Sequence, residues 1–102
     1  MSKLLDAGDP ALAKFHVGAK DLAAHGGDFR ALIDRVENGD WGTATADERA
    51  ENESVLKAGA GFVTARHELA GQQIVIKAEI NLHWTDVFLA PEYEQAKHMW
   101  RS

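Results

Sequence analysis

The chain is expected to fold as α+β, with N-terminal helices followed by a three-stranded antiparallel sheet and a C-terminal helix. Three observations predict this. Phe29, Leu32, Ile33 and Val36 fall at i, i+3, i+4 and i+7 and so share one helical face. Thr45 and Glu48 stand three apart, the spacing at which a hydroxyl and a carboxylate cap each other's backbone donors at a helix start. From Gly61 onward the hydrophobic period changes to two, the period of a strand. A chain of 102 residues, 45% of them hydrophobic, supports one core but not two, so residues 1–102 are taken as a single domain.

The first elements are the least marked. Asp9-Pro10 is a plausible helix start, but Ala11 to Lys14 supplies only about a turn. Phe15-His16-Val17 could form a brief strand before Gly18, after which Ala19 to His25 has helical composition and stops at Gly26-Gly27. Asp28 then caps the amphipathic helix, which Gly39 ends, with Arg30, Asp34, Arg35 and Glu37 as its solvated surface.

The turn Asn38-Gly39-Asp40-Trp41-Gly42 leads to a helix from about Ala46 to Ala58. Its acidic start, with Asp47, Glu48, Glu51 and Glu53, and Lys57 near its end suit the helix dipole. Ala50, Val55 and Leu56 give it only a thin apolar face, leaving a broad negative one to solvent.

Phe62, Thr64, Arg66 and Glu68 then alternate with Val63, Ala65, His67 and Leu69. A turn at Ala70-Gly71 separates them from Ile74, Ile76, Ala78 and Ile80, which alternate with Val75, Lys77 and Glu79. A turn around Asn81-Leu82-His83 leads to a third strand, Trp84 to Leu89. Pro91 opens a last helix on which Tyr93, Ala96 and Trp100 share a face, with Lys97, His98 and Arg101 near its negative end.

Composition excludes several function classes. No apolar run approaches the roughly 18–20 residues that cross a bilayer, and Asp6 interrupts any signal-peptide core, so a cytoplasmic protein is expected. Cysteine is absent, which removes disulfides and thiolate chemistry. A net charge of −5 disfavours direct grip on nucleic-acid phosphates and suits a partner with a basic patch.

Catalytic signatures are missing. The histidines at 16, 25, 67, 83 and 98 form neither HExxH nor HxH, so no metal is expected. No cofactor is expected either, because Gly26-Gly27 and Gly59 to Gly61 lack the context of a phosphate cradle. Ser54 lies on a helix without a nucleophile elbow. Asp40, Glu79 and His67 could supply acid/base groups, but Glu79 is better read as an outward strand residue paired with Lys77 or Arg66. Trp41 has two readings: a plug at the edge of the core, or, with Asp40, a contact for a partner.

Asn38 to Gly42, then Asp47, Asn52 and Glu53, the Gly59-Ala60-Gly61 approach to Phe62-Val63, Gly71 to Glu79, and Leu89-Ala90-Pro91-Glu92-Tyr93 resemble a family of small bacterial proteins carried on plasmids and other integrated elements. Its members are sometimes labelled restriction-modification subunits. The likeness spans a little over half of the chain. The chain has no glycine-rich cofactor loop and no Asn-Pro-Pro-Tyr motif, and is too short for a methyltransferase domain. Where the family reads Glu-Ala-Asp-Arg this chain has Glu79-Ile80-Asn81-Leu82, which puts in doubt any activity resting on that charged pair. The resemblance implies a mobile-element setting and supplies no catalytic residues.

The expected function is therefore non-enzymatic: a protein-binding accessory or inhibitor from a mobile element or phage, with an anti-CRISPR or anti-restriction role among its forms. The contact residues would be Asp40, Trp41, Asp47, Glu48, Glu51 and Glu53, and the partner a nucleic-acid-binding defence complex with a basic surface. A homodimer stays open. The alternative is a small-molecule-binding or enzymatic domain using Arg66, His67 and Glu79.

Overall fold

The computed structural model describes residues 14–15, 17–24, 29–69, 71–80 and 84–96, and there the chain is α+β. The elements run β1 (Lys14–Phe15), α1 (Val17–Ala24), α2 (Phe29–Glu37), α3 (Ala46–Ala58), β2 (Phe62–Leu69), β3 (Gln72–Glu79), β4 (Trp84–Leu89) and α4 (Ala90–Ala96). The expected three-stranded antiparallel sheet is in fact four-stranded, in the order β1-β4-β3-β2. β2, β3 and β4 make the antiparallel meander, while β1 joins the far side of β4 in parallel, Lys14 beside Asp86 and Phe15 beside Val87. Two residues carry no readable period, so only the tertiary pairing defines this strand.

Local chemistry accounts for most boundaries. α2 stops where Asp40 N–H donates to the Arg35 carbonyl at 2.9 Å and Gly39 N–H to the Val36 carbonyl at 3.0 Å, with Gly39 at φ 85°. That pair of bonds satisfies end carbonyls that the helix itself leaves open. α1 begins earlier than expected, so Gly18 lies inside a helix rather than after a strand. A Cβ there would stand 2.5 Å from Leu89 Cδ1, and the Gly18 N–H donates to Glu92 Oε2 at 2.6 Å. Glu92 Oε1 also accepts from Leu89 N–H at 2.9 Å, so one carboxylate serves the starts of both α1 and α4. The expected Asp9-Pro10 start, the Gly26-Gly27 stop, the Asp28 cap, the turn at 81–83 and residues 97–102 lie outside the described residues.

Alternation divides the sheet into two unlike faces. On one, Val63, Ala65, Ile74, Ile76, Ala78 and Val87 join Phe29, Leu32, Ile33 and Val36 of α2, with Ala19, Trp41 and Ala44, in the main core. Phe15 and Phe29 meet there edge to face at 4.9 Å, tying β1 to α2. Glu37, expected at the surface, is 1% exposed, because it continues this buried face four residues after Ile33. The other face has a small apolar cluster of Val75, Phe88 and Tyr93 beside buried Thr64, Lys77, Glu79 and Asp86. Glu79 is thus a buried residue, flanked in register by Phe62 and Trp84, and not the outward strand residue expected.

Candidate functional site

β2 is an edge strand, and the chain closes its open side with two devices. The turn after α2 runs beside it: Arg66 N–H donates to the Trp41 carbonyl at 3.0 Å, and Thr43 N–H to the Arg66 carbonyl at 2.8 Å. The approach is so close that a Cβ on Gly42, at φ 62°, would sit 1.9 Å from the Arg66 carbonyl oxygen. Glycine is therefore required at 42 both by backbone conformation and by space. Asp40 Oδ1 accepts from Gly42 N–H at 3.0 Å, closing the turn locally. The second device is Asn52 in α3, whose amide donates to the Thr64 carbonyl at 2.7 Å and accepts from Thr64 N–H at 2.8 Å. It occupies the place a neighbouring strand's peptide group would take.

These contacts fix α3. Thr45 and Glu48 form the expected capping box, with bonds of 3.1 and 2.9 Å, and Gly59 ends the helix at φ 74° by donating to the Val55 carbonyl. Arg49 donates to the Ala44 carbonyl at 3.1 Å and to the Gly42 carbonyl, holding the turn against the helix. Ala50, expected on the apolar face, is exposed; the buried line is Asn52, with Val55 and Leu56 half-buried. The helix is seated less by apolar area than by buried hydrogen bonds.

The six predicted contact residues separate accordingly. Asp40, Asp47, Glu51 and Glu53 are exposed. Trp41 is 8% exposed and belongs to the main core, the first of its two readings. Glu48 is turned inward, its carboxylate on both Arg66 Nε and Nη2 at 2.8 Å. At about 100° per residue, Asp47 and Glu51 share the flank on Glu48's side, whereas Glu53 lies across the helix near Arg49 and Lys57. The broad negative face is thus a narrower flank.

Beneath that flank is a charged cluster. Arg66 binds Glu48, has Glu94 at 3.6 Å, and places its guanidinium 5.3 Å from the centre of the Tyr93 ring. Burial pushes the Glu48 carboxyl up, but its bonds to Arg66 and to Thr45 N–H outweigh it and hold the carboxyl below the usual range. The same bond from Glu48 raises Arg66, which stays cationic. Next to it Lys77, 6% exposed, donates to Thr64 Oγ1 at 2.6 Å, and desolvation lowers its pKa. Burial likewise raises the Tyr93 phenol.

Arg66, His67 and Glu79, the alternative site, do not converge. Neighbours in a strand point to opposite faces, so His67 lies with the main core while Arg66 and Glu79 share the other face, and Glu79 is level with Phe62 rather than Arg66. His67 is 5% exposed and its Nε2 meets the Asp40 backbone carbonyl at 2.9 Å. A carbonyl can only accept, so that nitrogen carries the proton, and the ring pins the turn. Among the described residues no group of three His, Asp or Glu side chains could hold a metal, and no helix is long and apolar enough to cross a membrane.

Sequence reasoning missed Asn52, Arg49 and Arg66 as the residues that position the acidic flank. One signal for Asn52 was available: a poor helix former in mid-helix, four residues after Glu48 on the same side. No protein-family model, curated protein or solved structure matches the chain.

Proposed function

We propose that the chain works by binding another protein, as an accessory or inhibitor encoded by a mobile element or phage and acting in the cytoplasm. Its contact is the exposed flank of α3 carrying Asp47 and Glu51, with Asp40 in the turn before it, while Glu53 faces away across the helix. The partner is a nucleic-acid-binding defence complex, of the CRISPR or restriction kind, whose basic channel the carboxylates occupy in place of phosphates. The single observation that carries this reading is the mounting of α3. A helix with little apolar anchorage is fixed by the Asn52 clamp, the Arg49 bonds and the Glu48–Arg66 pair, while Asp47 and Glu51 face water. Carboxylates held on a rigid element lose little freedom on binding, and their field speeds encounter with a basic surface.

The test uses purified defence complexes and the doubly reversed variant Asp47→Lys/Glu51→Lys. The native chain should compete with DNA for the complex, with affinity falling as salt rises. The variant should lose competition while melting within a few degrees of the native chain. If no complex is bound and the reversal leaves a phage-protection assay unchanged, the reading fails.

A further inference from the structure

α3 lies along the edge of β2, and its grip on the sheet is concentrated in a few polar contacts. Asn52, its one buried residue, bonds both backbone groups of Thr64, and the Glu48 carboxylate holds Arg66 through two contacts of 2.8 Å. The apolar share comes from Val55 and Leu56, each half-buried against the main core, whereas α2 buries Phe29, Leu32, Ile33 and Val36 there. Apolar burial is the dominant favourable term in folding, and hydrogen bonds are largely exchanged with water, so α3 is held more weakly than α2.

The chain differs on its two sides. Before α3 the turn is pinned: the Trp41 ring is in the main core, His67 Nε2 donates to the Asp40 carbonyl, and Gly42 packs against the Arg66 carbonyl. Thr43 N–H is still bound to β2 at 2.8 Å, so freedom of the chain begins only after it. Behind the helix come Gly59 at φ 74° and Gly61 at φ 114°, and no atom of the described residues lies within 4 Å of the place of a Gly59 Cβ. Two glycines in three residues make a joint that turns without steric cost.

We propose that α3 is a latch: it leaves the edge of β2 and melts as one unit, from Thr45 to Gly59, while the sheet, α2 and the pinned turn stay folded. Melting accompanies release because a helix of 13 residues without its seat is marginal in water. The contacts fail together, since Glu48 serves both the capping box and Arg66, and Asn52 stands one turn further along the same side. Release uncovers the N–H and carbonyl of Thr64 in the middle of the edge, the groups by which an edge strand recruits another strand. A mounted acidic flank and a bare strand edge are thus alternative states of one segment.

The test follows amide hydrogen exchange of the native chain by NMR in low urea. Thr64 N–H and the amides of Asn52 to Leu56 should exchange as one group, at least about tenfold faster than Ile76 and Val87 and with a smaller urea dependence. Arg66 N–H, held by the Trp41 carbonyl, should exchange with the slow group; its joining the fast one overturns the boundary at the turn. Two variants separate a latch from one cooperative unit. Ile33→Val weakens the main core in the closed and open states alike, so it should speed the slow group severalfold and leave the latch group unchanged. Asn52→Ala should speed the latch group at least about tenfold. A single exchange rate and urea slope for all these amides overturns the proposal, as does a latch group that follows Ile33→Val in step or ignores Asn52→Ala.

Discussion

Replacing Asn52 by alanine strips the edge of β2 of a partner for two backbone groups at once. The side chain is 1% exposed and bonds both the N–H and the carbonyl of Thr64, itself 5% exposed. A buried polar group left without a partner costs about 1–3 kcal/mol, so two such groups cost about 2–4 kcal/mol after partial relaxation. For a domain of this size that is a large share of a total of roughly 5–15 kcal/mol. It should lower the melting temperature by on the order of 10–25 °C. Urea denaturation with a fixed slope is the primary assay, because a changed midpoint at constant slope reports stability alone. Asn52→Asp separates hydrogen bonding from packing. At neutral pH its carboxylate still accepts from Thr64 N–H but opposes the Thr64 carbonyl, so it should destabilise at least as much as alanine. On acidification the protonated carboxyl can donate to that carbonyl, and the deficit should shrink. A cost under about 0.5 kcal/mol for Asn52→Ala, the level of an ordinary surface change, would refute the clamp.

Gly42→Ala should cost at least about 3 kcal/mol, combining a left-handed backbone with a clash against the Arg66 carbonyl, whereas Gly59→Ala, left-handed but in open space, should cost only about 1–2 kcal/mol; equal urea midpoints for the two would contradict the docking of the turn. Glu48 has a depressed carboxyl pKa, so the stability it contributes is present above the ordinary carboxylate range and is lost as pH falls through the folded value. Glu48→Gln should therefore flatten the acid limb of a stability-versus-pH curve, and an unchanged limb would count against the Arg66 bond. Lys77 is also depressed, but as a base: the unfolded chain binds the extra proton, so stability should rise with pH between the folded value and the ordinary one near 10.5. Lys77→Met should remove that rise and be neutral or stabilising at pH 7, with readings kept below pH 10, above which the raised Tyr93 phenol works in the opposite sense.

The parts of the fold that follow from short-range chemistry were legible. Phe29 to Val36 make a helix because their spacing matches its turn, and Thr45 with Glu48 fixes the start of α3. The alternation after Gly61 makes a hairpin for the same kind of reason, and it already implied that Arg66 and His67 face apart. Less of the candidate site could be read. Asp47, Glu51 and Glu53 are exposed as expected, but Glu48 has a second task that depends on an arginine from another element. The tryptophan in the turn left two readings open because its fate depends on what stands opposite.

By itself, then, the sequence determined most of the element types, most of their ends and the acid-rich start of α3, since each rests on residues within a turn or two of one another. Tertiary structure alone decided the parallel pairing of β1 with β4, the closing of β2's edge by Gly42 and Asn52, and the burial of Lys77, Glu79 and Asp86 on the minor face. Each of those depends on backbone groups or charges brought together from distant parts of the chain, where a hydrogen bond or a desolvated amine has no signature in local spacing.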